Sequence, residues 1–254
     1  MNNAESVKLI ILQSRDSSDP MSFHEISCVR RKLGEDVGLD VHNTLLSPPT
    51  SHLLDDYDGV IIGGAGDFSV HDSKNQSWVT PMRRFLEAIL SRNIPAFGIC
   101  FGHQLLGQVL GSTIATDEAR TEVGTVQLEL TANGETDPMF QELPKVFSAQ
   151  TGHSDHVTKL PQGVTLMAQN SLVKTQAFKV DRKRFYSVQF HPDLTSQEAL
   201  ERYFAYKGKL LPTKDETEDK GAHRFEPGKD HAVSLLRLFV KKVVMVDNQK
   251  ISDY

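Results

Sequence analysis

The stretch Ile94-Pro95-Ala96-Phe97-Gly98-Ile99-Cys100-Phe101-Gly102-His103-Gln104 predicts a strand that turns sharply into a helix. Gly98 and Gly102 permit this turn, because a side chain at either position would collide with neighbouring backbone, and the turn leaves Cys100 exposed. The free N–H groups at the start of the helix, predicted over 101–110, favour the ionised thiolate. Cys100 is therefore a candidate nucleophile; a buried, inert cysteine beside helix-packing glycines is the alternative.

On both sides of this turn, strand-like and helical patterns alternate, which is typical of βαβ units and a parallel sheet. The first part of the chain has predicted strands at 7–12, 39–46, 59–62 and 94–99 and predicted helices at 23–33 and 81–91. Pro81 is placed in the first turn of the second helix, where its missing N–H costs nothing. Further strands at 124–130, 146–150, 164–168, 175–180 and 184–190 predict an antiparallel or mixed part of the sheet.

The C-terminal third begins with a capping box, Thr195-Ser196-Gln197-Glu198, which predicts a helix towards Tyr206. Residues 207–230 are charged and poor in apolar side chains, which predicts a loop or lid. Residues 231–246 form a predicted helix with a 3.6-residue apolar repeat. We expect a single domain over 1–254, with a core at about 7–205 and the loop and last helix as an extension.

Composition restricts the classes of partner. The 254 residues include 28 Lys and Arg against 33 Asp and Glu, giving a formal net charge of −5, which does not favour nucleic acid or anionic lipid. No apolar stretch approaches the length of a membrane span and no cleavable leader is evident, so a cytoplasmic protein is expected. Cys28 and Cys100 are too few for a disulfide framework or a thiolate metal site.

A candidate partner for the thiol follows another predicted strand, in Tyr186-Ser187-Val188-Gln189-Phe190-His191-Pro192-Asp193. Side chains two residues apart on an extended segment point the same way, so Asp193 can orient the imidazole of His191. A purely structural hydrogen-bonding role is the alternative for His191. Its combination with a cysteine at a sharp turn favours a Cys–His–carboxylate arrangement.

A glycine cluster, Gly63-Gly64-Ala65-Gly66, follows the predicted strand at 59–62. Acyl transfer requires hydrogen-bond donors at the developing oxyanion, and the backbone N–H groups of Gly64 and Phe101 are candidates. Phosphate binding is the alternative, but neither of the common phosphate-loop motifs occurs here. The pair His153-x-x-His156 suggests a metal site, although no further ligand lies at a suitable spacing, so no metal and no cofactor are expected.

Together these segments resemble the class I glutamine amidotransferases. Their nucleophile motif G-x-C-x-G-x-Q is met in full by Gly98, Cys100, Gly102 and Gln104. The segment Thr151-Gly152-His153-Ser154-Asp155-His156-Val157 is similar to S-H-G-D-x-V in the glutaminase domain of GMP synthases and its free-standing relatives. The segments that carry the resemblance occur in the same order as in the family and together cover roughly residues 7–205.

The resemblance implies a three-layer, flavodoxin-like α/β fold with a mixed central sheet and hydrolysis of a γ-glutamyl amide through a thioester on Cys100. It implies His191 as acid and base, Asp193 as its orienting carboxylate, and Gly64 and Phe101 as oxyanion donors. It further implies substrate contacts from Gly66, Gln104, Ser154 and Asp155. Asp193 departs from the H-P-E of most members and is one methylene shorter, which predicts a longer or reoriented bond to His191.

Three functions remain open on the sequence. The chain is a glutaminase that delivers ammonia to a synthase on another chain, or a free-standing hydrolase that releases a larger amine or peptide from a γ-glutamyl compound. Alternatively, the replacement at Asp193 marks a regulator that binds a γ-glutamyl ligand with little turnover. The reactivity of Cys100 distinguishes the enzymes from the regulator, since only an enzyme needs a reactive thiol.

Overall fold

The fold of residues 7–206 and 221–246, described here from a computed structural model, is a large mixed sheet with helices on both faces. The strands are β1 (Lys8–Gln13), β2 (Gly38–Asn43), β3 (Gly59–Ile62), β4 (Ala96–Ile99), β5 (Ile114–Thr116), β6 (Glu122–Leu130), β7 (Val146–His153), β8 (Asp155–Val157), β9 (Val164–Gln169), β10 (Ala177–Val180) and β11 (Phe185–Val188). The helices are α1 (Met21–Leu33), α2 (Gln76–Arg92), α3 (Phe101–Val109), α4 (Ala132–Thr136), α5 (Ser196–Tyr206) and α6 (Leu235–Phe239).

The main sheet has the order β2-β1-β3-β4-β11-β10-β9-β6-β7. The first five of these strands are mutually parallel, and the remaining neighbours pair antiparallel. The predicted α/β fold with a mixed sheet is confirmed. The carboxyl ends of β3, β4 and β11 therefore meet at one edge, which brings together the three segments that follow them.

Two apolar cores flank the sheet, because successive strand residues point to opposite faces. Leu9 and Ile11 pack with α1 and α6, whereas Ile10 and Leu12 pack with α2 and α3. The last helical segment continues from α6 into a π-helical turn at Val240–Val244, and its buried residues belong to the first core. Phe239 lies edge-on to Phe97 of β4, with ring centroids 5.4 Å apart.

Most predicted elements are present, with shifted ends. The prediction that Pro81 lies in the first turn of its helix is wrong: α2 begins at Gln76, directly after a 3₁₀ turn at Ser73–Asn75. The strand predicted to end at 46 ends at Asn43, whose Oδ1 accepts from the Leu45 N–H at 2.9 Å and starts a turn.

The small sheet of β5 and β8 escapes prediction, because each of its strands has three residues and no alternating pattern can be recognised over that length. The capping box is confirmed, since Thr195 N–H donates to Glu198 Oε2 at 2.7 Å and Glu198 N–H to Thr195 Oγ1 at 3.3 Å. Of the predicted loop 207–230, residues 207–220 lie outside the described residues. Within the described ranges, no helix is both long and apolar enough to cross a bilayer.

Candidate active site

Cys100 occupies the sharp turn between β4 and α3, with φ 49° and ψ −97°. Its N–H donates to the carbonyl of Val188 in β11 at 2.8 Å, which fixes the turn against the neighbouring strand. A Cβ at Gly98 would come within 2.9 Å of the Gly102 backbone, and a Cβ at Gly102 within 2.5 Å of the Ile62 carbonyl oxygen. Both glycines are therefore required for the turn, as the sequence predicts.

The charge state of the Cys100 thiol reflects its surroundings. Burial, together with the negative charges of Asp155 and Asp193, raises its pKa to about 12. The N–H of Phe101 donates to the sulfur and acts in the opposite direction. The expected ionisation by the helix terminus is thus outweighed by burial, and the thiol holds its proton at neutral pH until a base removes it.

His191 lies just beyond β11, beside the turn, and its N–H donates to the Gln150 carbonyl at 2.8 Å. Its Nδ1 lies 3.0 Å from Asp193 Oδ1, so Nδ1 carries the proton and Nε2 is left to exchange one. The expected lengthening of this bond by the shorter Asp193 is not seen. His191 is 7% exposed and Asp193 1% exposed, which keeps the pair away from bulk water.

Arg202 of α5 holds the other side of this carboxylate. Its Nη2 donates to Asp193 Oδ2 at 3.0 Å, and both side chains are more than nine-tenths buried. Burial alone would raise the pKa of Asp193, but the charges of Arg202 and His191 hold it well below its usual range. Asp193 is thereby kept ionised and in one orientation.

These groups line a cavity of about 310 Å³ at the carboxyl edge of the sheet. The predicted site residues Gly64, Gly66, Cys100, Phe101, Gln104, Ser154, Asp155 and His191 all line it, with Asp193 directly behind His191. A Cβ on Gly64 would lie 3.4 Å from His191 Cε1, so the glycine backbone passes close to the imidazole.

The segment after β7 brings two polar side chains to the cavity, Ser154 and Asp155. Asp155 accepts from Ser69 Oγ at 2.5 Å and from Thr116 Oγ1 at 2.6 Å, so both of its oxygens are held in place. Ser154 accepts from Thr121 Oγ1 at 2.9 Å. Gln104 donates to the Asp155 carbonyl at 2.9 Å, linking α3 to this segment.

Comparison with known proteins places this geometry in a family. The sequence model described as "Glutamine amidotransferase class-I" matches residues 26–208. The chain belongs to the class I glutamine amidotransferases. The family resemblance of its motifs is thereby confirmed.

Proteins with two kinds of name are similar to this amidotransferase. It is 32% identical to a glutamine-hydrolyzing GMP synthase subunit of Sulfurisphaera tokodaii over 63% of this chain and 80% of that protein. The chain spans only 23% of the GMP synthase of Streptomyces avermitilis. It is 28% identical to a gamma-glutamyl-L-1-hydroxyisopropylamide hydrolase of a Pseudomonas species, over 75% of this chain and 69% of that one.

The fold of the amidotransferase is shared with solved structures. A glutamine amidotransferase from Thermotoga maritima superposes with a TM-score of 0.70 at 20% identity, covering 95% of this chain and 99% of the other. The predicted three-layer architecture is thus confirmed at the level of fold.

Two histidines near the site have contacts with other buried residues. His103 does not face Cys100: it packs on Phe178 with ring centroids 4.5 Å apart, and its Nδ1 lies 2.9 Å from Ser187 Oγ. His153 Nε2 lies 3.1 Å from Glu122 Oε2, and both side chains are buried. Among the residues that the structure describes, no three His, Cys, Asp or Glu side chains are grouped to hold a metal ion.

Gln189 is a site residue of the amidotransferase that the sequence reasoning missed. Its Nε2 lies 3.6 Å from Cys100 Sγ, and its Oε1 accepts from Gln104 Nε2 at 3.4 Å. The sequence does contain a signal for this residue. Gln189 stands two residues before His191, and residues at this spacing on an extended segment point to the same side. Its amide NH₂ therefore faces the Cys100 sulfur.

We expect Gln189→Leu to lower kcat by about 10- to 100-fold, since a hydrogen bond to a charged group is lost. Gln189→Glu, of the same size but negative, places a charge beside the sulfur and should move the acid limb of the kcat/KM profile to higher pH. Steady-state kinetics across pH measures both effects. An unchanged pH profile in the Glu variant would show that residue 189 has no contact with the ionising thiol in solution.

Proposed function

We propose that the chain hydrolyses the γ-amide of glutamine or of another γ-glutamyl compound, with Cys100, His191 and Asp193 as its catalytic triad. One observation carries this proposal: a cysteine in a strained turn shares a cavity with a histidine whose Nδ1 is bound to a buried carboxylate. This is the arrangement that nucleophilic acyl transfer requires. Membership of the amidotransferase family supports it.

The proposed reaction has two steps. His191 Nε2 takes the thiol proton while Cys100 Sγ attacks the γ-carbonyl carbon, and the N–H groups of Gly64 and Phe101 bind the oxyanion. His191 then gives the proton to the departing nitrogen. The amine is released, and the glutamyl group remains on Cys100 as a thioester. Water, deprotonated by His191, hydrolyses the thioester to glutamate and restores the thiol.

The α-ammonium and α-carboxylate of the glutamyl group need polar partners when they are buried. We assign the ammonium to the side chain of Asp155 and the remaining polar contacts to Gln104, Ser154 and the backbone at Gly66. Two hydroxyl donors fix the Asp155 carboxylate, so it is preorganised for a cation.

Asp155→Asn is expected to raise KM by about 10- to 100-fold with a smaller change in kcat, because it removes a charge that binds substrate before and during reaction alike. Initial-rate kinetics with glutamine and with γ-glutamyl amides checks this. The matched control is Asp72→Asn, which removes an acidic charge outside the cavity lining. A fall confined to kcat would assign Asp155 to the chemical step instead.

The direct test of the proposed function is glutamate release by the purified chain, with Cys100→Ala as control. A glutamine-like electrophile should alkylate Cys100 selectively over buried Cys28, as detected by mass spectrometry. Release that Cys100→Ala leaves intact would overturn the proposal. No release and no alkylation would favour the regulator that only binds.

A partner chain that accepts ammonia is a second candidate, favoured by the similarity to the S. tokodaii protein, which bears the name of a synthase subunit. In that case glutamine hydrolysis by the chain alone is slow, and a synthase chain stimulates it. A γ-glutamyl peptide hydrolase needs no such partner. A cytoplasmic location remains a prediction for either case.

A further inference from the structure

If the proposed function holds, the positions of the groups that line the cavity fix the direction in which each substituent of the reacting carbon points. The oxyanion must face the N–H groups of Gly64 and Phe101, and the glutamyl chain runs towards Asp155. A general acid must lie within hydrogen-bond reach of the nitrogen that it protonates, so the leaving amine faces His191. Any substituent on that nitrogen therefore extends past His191.

Part of the cavity lining close to His191 is apolar. Leu194 follows the histidine by three residues, Ala199 and Tyr203 come from α5, and Phe225 packs on Tyr203 with ring centroids 5.6 Å apart. These four side chains line the cavity and form one cluster, which we name the leaving-group wall. An ammonia molecule has no apolar surface to bury there.

The two cations beside the wall are paired with carboxylates, and Arg202 Nε has no hydrogen-bond partner among the described residues. Arg202 is bound to Asp193, and Arg15, 1% exposed, donates through Nε to Glu25 Oε2 at 2.8 Å and through Nη1 to Asp19 Oδ2 at 3.1 Å. The phenol of Tyr206 also contacts Arg15 Nη1 and donates to Asp19 at 2.6 Å. A carboxylate on the leaving group would compete with these buried carboxylates for their cations.

We infer that the substrate is the γ-glutamyl amide of a small, neutral alkylamine, whose alkyl group packs against the leaving-group wall, rather than glutamine or a γ-glutamyl peptide. This deepens the proposed function and uses the same atoms. The C–N bond of a secondary amide breaks, His191 protonates the nitrogen, and the free alkylamine leaves with water supplying the new oxygen of glutamate. No additional reactant is required.

The test compares kcat/KM of the full chain for glutamine, γ-glutamylethylamide, γ-glutamylisopropylamide and γ-glutamylglycine. Burial of two or three carbons against the wall should favour the alkylamides over glutamine by about 10- to 50-fold. γ-Glutamylglycine is of similar size to the isopropylamide but carries a carboxylate. We expect it to be cleaved at least about 10-fold less efficiently than the isopropylamide.

Ala199→Phe tests the position of the wall by filling it. The isopropylamide-to-glutamine ratio of kcat/KM should fall by about 10-fold, because overpacking excludes the alkyl group but not ammonia. Ala205→Phe is the matched control, since Ala205 lies on the same helix outside the cavity lining and should leave the ratio unchanged. Both kcat/KM values are measured on the same variant, so their ratio does not depend on how much of that variant is folded.

The outcomes separate the two proposals. If no γ-glutamyl compound is cleaved, the proposed function fails. If glutamine or γ-glutamylglycine is cleaved better than the alkylamides, or if Ala199→Phe leaves the ratio unchanged, the function stands and the inference about the leaving group is overturned. If the chain prefers the alkylamides and Ala199→Phe abolishes this preference, the result supports both the proposed function and the inference about the leaving group.

Discussion

Replacing Cys100 by glycine is expected to abolish glutamate release and, at the same time, to raise the free energy of unfolding. Loss of the nucleophile should lower kcat by about four orders of magnitude or more. At φ 49° and ψ −97° a side chain strains the backbone, which costs about 1–3 kcal/mol at such positions. Glycine removes this strain but loses about 0.5–1 kcal/mol through the greater freedom of the unfolded chain.

Cys100→Ala separates the two effects, because alanine removes the sulfur and keeps the strained Cβ. We expect both variants to be inactive and the glycine variant to be the more stable by about 1 kcal/mol, which corresponds to about 2–4 °C in Tm for a chain of this size. Thermal unfolding followed by circular dichroism measures the difference. Equal Tm values would show that the turn stores no strain, and residual activity in either variant would exclude Cys100 as nucleophile.

The pattern of elements could be predicted because each signal is local. The parallel strands are short apolar runs followed by glycine-rich turns, and buried strands of this kind are recognisable without alternation. The turn at Cys100 is coded by two glycines that only a close backbone approach explains. Once strand ends are known, the meeting of Gly64, Cys100 and His191 follows from the rule that parallel strands place their carboxyl ends at one edge.

The surroundings of the triad could not be predicted in the same way, because they depend on contacts between distant segments. Arg202 reaches Asp193 from α5, which packs against β6, β7 and α1. Arg15, two residues after β1, joins Glu25 of α1 to Tyr206 of α5. A weak signal for Arg202 exists: it stands on the buried face of α5 with Ala199, Tyr203 and Tyr206, where an apolar residue is expected. A cation in such a stripe indicates a buried partner without naming it.

Asp193→Asn is expected to lower kcat by about 10²- to 10⁴-fold, a large effect for a change that preserves shape. An amide has one acceptor oxygen and one NH₂ donor. If its oxygen accepts from Arg202, its NH₂ faces His191 Nδ1 and fixes the tautomer in which Nε2 carries the proton. That tautomer cannot remove the thiol proton. Pre-steady-state measurement of thioester formation locates the loss in the first step.

The comparison with Asp193→Glu addresses the position at which the family resemblance implies a glutamate. Asp193 Oδ1 already lies 3.0 Å from His191, and Arg202 holds Oδ2 at the same distance. An additional methylene must be accommodated in a buried, filled space, so we expect the Glu variant to be less active than the parent by about 10-fold. Equal or higher activity would mean that the shorter carboxylate is a handicap rather than one half of an Asp–Arg pair.

Arg202→Met should lower both activity and acid stability, because it leaves the carboxylate of Asp193 buried with His191 as its remaining hydrogen-bond partner. In the parent, the pKa of Asp193 is held below that of the unfolded chain, so the carboxylate contributes stability above about pH 4 and this contribution is lost as pH falls towards the folded-state pKa. In the variant, burial raises that pKa, and the contribution disappears at a higher pH.

The pH dependence of this loss distinguishes an electrostatic role of Arg202 from a packing role. We expect Arg202→Met to cost about 3–5 kcal/mol at pH 7 and less near pH 4, where protonation relieves the unpaired charge. Urea unfolding at both pH values measures this, with Arg31→Met, which removes a half-exposed ion pair to Glu198, as control. If the loss of unfolding free energy does not change with pH, the arginine contributes through packing alone. Asp193 then orients His191 without an electrostatic contribution from Arg202.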